Sequence, residues 1–237
     1  MAVIYNKTLE ILKKHYFNLL FCVLISQISA FLLLNIGQGF SQNNIRSVVF
    51  YIVVFLLQAG ISLGIIKCCL QIIDKDSFEP SQIYKQFDFL LSYLFSIAII
   101  AVFGALVFFP TIMLIYNKNI LNLSLGSLQN TIDSIEKIAT SLSVIDTLFL
   151  SVSSLMFLYI SLRFFFVPYF IVDRASPANN VEALSLSYQL TKGKTLQLVP
   201  MFLILIVLGY LPNIVTFFFL PLTILLPCLY FRNLNKL

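Results

Sequence analysis

Apolar runs of about twenty residues, separated by short polar connections, dominate this chain and restrict what it can become. A run of that length crosses the ~30 Å hydrocarbon layer of a bilayer when coiled as a helix. Backbone N–H and C=O groups in lipid need partners inside their own segment, and a helix supplies them. The runs predict six transmembrane helices, over 17–36, 48–66, 89–115, 147–167, 196–211 and 214–231. The expected fold class is all-α, a polytopic integral membrane protein with a single membrane domain over 1–237.

Composition disfavours a soluble alternative. Of the 237 residues 59% are hydrophobic and 11% charged, with mean hydropathy +0.96. A soluble domain carries about 25% charged residues to cover its exterior. With 24 Phe, 11 Tyr and no Trp, any aromatic belt at the membrane interface has to be Tyr. The net charge of +5 is scattered between the apolar runs instead of forming one patch. Nucleic acid is therefore not an expected partner. Anionic lipid headgroups are, with a membrane protein as a further partner.

The first run, Phe17 to Ile36, follows Lys13, Lys14 and His15 and precedes Gly37-Gln38-Gly39. It exceeds the 7–15-residue core of a signal peptide and more runs follow, so an uncleaved helix is expected. Three amphipathic surface helices are predicted, over 3–15, 127–145 and 179–192. In the second, Leu128, Ile132, Ile135, Ile138, Leu142 and Ile145 recur at helical spacing. In the third, Val181, Leu184, Leu186, Tyr188 and Leu190 alternate with polar residues, Asn179 or Asn180 stands at a cap, and Gly193 at the stop.

Gly60 and Gly64 form a G-x-x-x-G pattern that lets another segment approach closely, expected here within the bundle. Lys67 closes the second run and is expected to snorkel to the headgroups. Pro80 breaks the polar link from Asp74 to Asp88, and Pro110 is expected to kink or shorten the third helix. Pro212-Asn213 is the expected turn of the last pair, with a re-entrant hairpin as the alternative.

Twelve of the fifteen Lys and Arg fall on one set of alternate connections, and only Arg46, Lys118 and Lys137 on the other. The positive-inside rule then puts both termini in the cytoplasm, which requires an even number of spans.

Chemistry-bearing patterns are sparse. The sole histidine, His15, has no second His to share a metal or a catalytic relay. No H-E-x-x-H, G-x-S-x-G or P-loop pattern occurs. Ser151, Ser153 and Ser154 read as packing residues. Catalytic residues, a cofactor and a metal are not expected. Cys22, Cys68, Cys69 and Cys228 lack C-x-x-C spacing and read as small hydrophobes. Lipidation of Cys68 or Cys69 is the alternative for that pair. Arg163 is the one ionisable group within a span, and structural anchoring with Asp173 or Glu182 as partner is expected for it. Arg163, Asp173 and Glu182 thus form the candidate polar cluster. Gln27, Asn35, Gln58 and Asn213 read as interhelical hydrogen-bonding residues.

The stretch Leu162-Arg163-Phe164-Phe165-Phe166-Val167-Pro168-Tyr169-Phe170-Ile171-Val172-Asp173, followed by Glu182-Ala183-Leu184-Ser185-Leu186-Ser187-Tyr188-Gln189-Leu190-Thr191-Lys192-Gly193, resembles a known signature. It is similar to that of the YciC-like proteins, a broad group of uncharacterised bacterial inner-membrane proteins, and to the membrane domain of some glycerophosphodiester phosphodiesterases. Ser77-Phe78 and Tyr84-Lys85-Gln86-Phe87 extend the likeness. A Pro-Gly turn before the fourth span is missing here, where the amphipathic insertion stands. The resemblance implies a six-helix bacterial inner-membrane protein and transfers no catalytic residue. The leading functional expectation is a non-enzymatic protein with a role in envelope or lipid homeostasis. A small transporter or channel is the alternative, and a membrane-embedded lipid-modifying enzyme the second alternative.

Overall fold

A computed structural model describes residues 2–38, 45–117, 143–173, 180–210 and 213–235. Every described element is helical: α1 (Ala2–Gln38), α2 (Ile45–Lys75), α3 (Gln82–Lys85) running into a 3₁₀ turn (Gln86–Phe89), α4 (Leu90–Asn117), α5 (Val144–Phe164), α6 (Val167–Asp173), α7 (Asn180–Thr191), α8 (Thr195–Tyr210) and α9 (Asn213–Asn235). Three stretches are long and apolar enough to cross a membrane, Val48–Lys75, Gln82–Thr111 and Val144–Asp173. Val181–Thr191 and Thr195–Leu208, a pair bent by 98°, make a fourth when taken as one broken span. The chain is an all-helical polytopic membrane protein.

Several expected boundaries move. α1 combines the predicted surface helix and first span, and His15 (φ −117°, ψ 18°) breaks it between them. α2 continues past Lys67 to Lys75 because Cys68, Cys69, Leu70 and Ile72 are buried and keep one face of the helix packed. Pro110 lies inside α4, which runs on to Asn117 instead of ending there. α5 starts at Val144, not Thr147. The Ser143 hydroxyl accepts from the Asp146 amide (3.3 Å) and Asp146 accepts from the Ser143 amide (2.8 Å), a capping box. Ile145 therefore belongs to α5 and not to the amphipathic helix assigned to 127–145. Helix α5 ends at Phe164, three residues before the expected end of the fourth span, while the apolar stretch runs on to Asp173; Pro168 occupies the first turn of α6, where its missing N–H costs nothing. Residues 118–142 with Lys118 and Lys137, Gly39, Arg174, Asn179, Pro212 and Lys236 lie outside the described residues.

The chain forms two compact units, Met1–Ser96 with Phe165–Leu237, and Ile97–Phe164. The first has a true interior. α1 and α2 pair through Leu19, Cys22, Leu63 and Cys68, all fully buried, and α9 packs on both. α6 is buried almost all round; its Tyr169 and Phe170 rings and Phe166 just before it surround Phe231 of α9 at 4.9–5.7 Å between centroids. The G-x-x-x-G face is used inside the unit: a Cβ on Gly64 would overlap the Ile83 backbone, and one on Gly60 the Phe87 ring. The glycines let α3 and the 3₁₀ turn lie directly on α2. Gln58 Nε2 donates to Ser29 Oγ (3.0 Å), the interhelical bond expected of it.

α7 is amphipathic as predicted, but its buried stripe is Ala183, Leu184, Ser187 and Thr191, while Val181 and Tyr188 face outward. Small side chains allow the close approach to α6 that larger ones would block. Gly193 follows with φ +74°, the left-handed stop expected of it.

Among the described residues the second unit consists of two helices packed along one seam. Gly104, Phe108 and Thr111 on α4 meet Phe157 and Ser153 on α5, with the Thr111 hydroxyl donating to Ser153 Oγ at 3.0 Å. Beyond this seam its apolar side chains are exposed: Val102 61%, Leu106 66%, Leu148 62%, Leu155 66%. Lipid is the solvent that suits such a surface.

Candidate functional site

Several ionisable side chains of the first unit gather where α1 breaks and α2, α6 and α9 terminate. Two clusters form there. Arg232 reaches Asp173 with both terminal nitrogens (Nη1 to Oδ2 at 2.7 Å) and also reaches Asp74. The fork of a guanidinium matches a carboxylate in this two-point way, and the third contact ties α2, α6 and α9 together. The second cluster centres on Asp76, which accepts from Lys14 and lies 2.6 Å from His15 Nε2. Asn18 Nδ2 stands 3.4 Å from the other ring nitrogen of His15.

Local sequence explains why these carboxylates need cations. Asp74 and Asp76 stand at the C-terminal end of α2, where the helix dipole is negative and repels carboxylates. Asp76 adopts φ 54°, the left-handed cap position that Asp tolerates better than most residues. The hydrogen bonds from Lys14 and then His15 hold the Asp76 carboxyl below its ordinary range.

Two lysines finish helix ends directly. Lys67 Nζ donates to the Val172 carbonyl of α6 at 2.7 Å, so it turns inward instead of snorkelling as expected. Lys194 Nζ donates to the Leu234 carbonyl of α9 at 3.3 Å. Each satisfies a carbonyl that a helix terminus leaves without an intrahelical partner.

A cleft of about 230 Å³ adjoins each cluster, one lined by Lys67, Gln71, Lys75 and the Arg232 group, the other by Lys7, Glu10, Lys14, His15 and Asp76. The Oε1 of Gln71 is buried without a hydrogen-bond partner among the described residues. Among the described residues no three His, Cys, Asp or Glu side chains are placed to hold a metal.

Comparison of the chain with protein-family models, curated proteins and solved structures finds no match.

Of the three residues singled out from the sequence, Asp173 sits in this layer, paired with Arg232. Glu182 is exposed in the first turn of α7, where a carboxylate suits the positive end of the helix. Arg163, in the last turn of α5, is 8% exposed with its guanidinium 4.8 Å above the Tyr159 ring. That stacking one helical turn away is a cation–π contact, which favours Arg over Lys. Arg232, Asp74 and Asp76 were not legible as site residues, since Arg232 lies 59 and 158 positions from its partners. A usable signal existed all the same: two Asp at the end of an apolar helical run each require a cation.

Cys68 and Cys69 are both fully buried, with Cys22 beside the first and Cys228 beside the second. They pack as small hydrophobes, and neither thiol is exposed.

Proposed function

We propose that the chain is a non-enzymatic, six-span bacterial inner-membrane protein of the YciC-like kind, with both termini cytoplasmic and a role in envelope or lipid homeostasis exercised through anionic lipid headgroups. The observation that carries this reading is the single charged end. The break of α1 brings Lys14 there, α2 brings Lys67, α9 brings Arg232 and the α7–α8 junction brings Lys194. On the sequence, twelve of the fifteen Lys and Arg fall on one set of alternate connections, and that excess favours a cytoplasmic face. Six crossings, an even number, keep both termini on that face. Asp74, Asp76 and Asp173 at this end are engaged by cations, which supports a structural use of these carboxylates.

Photo-crosslinking in native membranes, with a probe at exposed Lys75, tests the reading. Capture of anionic lipid or of a membrane protein is expected, and capture of neither would overturn it.

The 98° bend between α7 and α8, with Pro200 in α8 and Pro221 and Pro227 in α9, supports a small transporter or channel as the second reading. Broken helices frame many substrate sites in transporters. Liposomes carrying the protein would pass a small solute in that case, and tight liposomes would dispose of it.

A further inference from the structure

Beside the charged end, the front half of α1 and the α8–α9 pair leave a groove of about 550 Å³. This is the size of an ordinary small-molecule site. Leu9 and Leu12 form its α1 wall, and Phe219, Leu222 and Leu226 its α9 wall. Lys13 stands among them as the groove's one charged residue. At ~1.5 Å per residue, Leu226 lies about 9 Å and Phe219 about 20 Å along α9 from Arg232. The groove therefore starts close to the charged layer and runs toward the middle of the bilayer, over about the depth of one leaflet.

Lys13 differs from its neighbours. Lys14 and His15 are held by Asp76, and Glu10 faces the opposite cleft with Lys7 and Lys14. Lys13 is exposed, and among the described residues no carboxylate pairs with it. A cation at the headgroup level above an apolar trough is complementary to one kind of molecule, a phosphate-bearing lipid.

We propose that this groove holds one acyl chain of an anionic phospholipid, with the phosphodiester against Lys13. The inference rests on the reading above, that the protein works through anionic lipid, and gives that partner a place. Free phosphate is excluded by the aliphatic walls, which offer it nothing. Water would find almost no hydrogen-bonding group along the trough, so hydrocarbon fills it. The concave shape between elements of one chain suits a flexible acyl tail, which can follow the line from Leu12 to Phe219.

The test uses the full chain in nanodiscs of dioleoyl phosphatidylglycerol and dioleoyl phosphatidylcholine in equal amounts, followed by release into detergent and native mass spectrometry. The wild type is expected to retain one phosphatidylglycerol, preferred over phosphatidylcholine by about five-fold, the effect of one Lys at an anionic surface. Lys13→Gln should bring the two lipids to parity. Leu222→Trp, which fills the trough, should lower retention of both. Lys75→Gln, exposed in the charged layer away from the groove, should reduce overall anionic enrichment in the disc yet leave the retained lipid in place. Unchanged preference in Lys13→Gln overturns the site, as does loss of a dimer signal in Leu222→Trp with lipid retention intact, which would make a second copy the occupant. Anionic enrichment without a retained lipid sinks the groove alone; no enrichment in any sample sinks the broader reading with it.

Discussion

The two compact units are built from equally apolar helices, yet they hold together differently. In Met1–Ser96 with Phe165–Leu237, helices lie on glycines, aromatic rings enclose Phe231, and ion pairs tie the helix ends. In Ile97–Phe164, two helices meet along one seam and present the rest of their surface outward. Hydrophobicity puts both into a membrane but does not pack either one, because lipid tails are as apolar as leucine. Close backbone approach and polar contacts decide which helices stay together.

That contrast can be broken by substitution. The largest effect is expected from Arg232→Ala, which leaves Asp74 and Asp173 facing each other without their cation. Their side chains are 38% and 22% exposed, so solvent discounts the loss to about 2–3 kcal/mol. Denaturant unfolding in detergent micelles, with Arg232→Lys as the partial rescue, measures it.

Next come matched glycine changes, one in each unit. Gly64→Ala drives a methyl into the Ile83 backbone and should cost about 2 kcal/mol, since the backbone has to move. Gly104→Ala meets only the Phe157 ring edge at 3.4 Å, and the gain in helix propensity offsets that contact to within about 0.5 kcal/mol. Equal costs for the two would erase the distinction between the units.

Within the seam, Thr111→Val removes the hydroxyl that donates to Ser153. Interhelical hydrogen bonds in membranes average about 0.6 kcal/mol, and the same unfolding assay should return a value of that order.

The smallest effect belongs to Asp76, which is open to solvent. Its folded carboxyl is held below the ordinary value of 3.8. The stability it contributes is fully present above that value and is lost as pH falls through the lower, folded one. Unfolding midpoints between pH 3 and 6 should therefore drop at the acid end in the wild type, and Asp76→Asn should flatten that part of the profile.

Much of the fold was legible before any coordinates. Run length marked the apolar helices, and spacing placed α7 and its Gly193 stop, a pattern that operates within four residues. Extents were less legible where burial overrode composition: α2 runs eight residues past Lys67 because Cys68, Cys69 and Ile72 have neighbours. Of the polar cluster read from the sequence, Asp173 lies in the charged layer, while its partner Arg232 sits 59 positions away and no periodicity could nominate it.

The sequence alone determined the solvent of this protein, the helical state of its backbone and the connections that carry its positive charge. All of these follow from local composition, since the cost of exposing a peptide group or a charge to lipid is settled residue by residue. Only the tertiary structure decided that Gly60 and Gly64 receive the chain's own Phe87 and Ile83, that Lys67 turns inward, and that Arg232 is shared between two carboxylates. Those choices depend on which distant segments meet, and contacts between distant segments are set by packing and geometry.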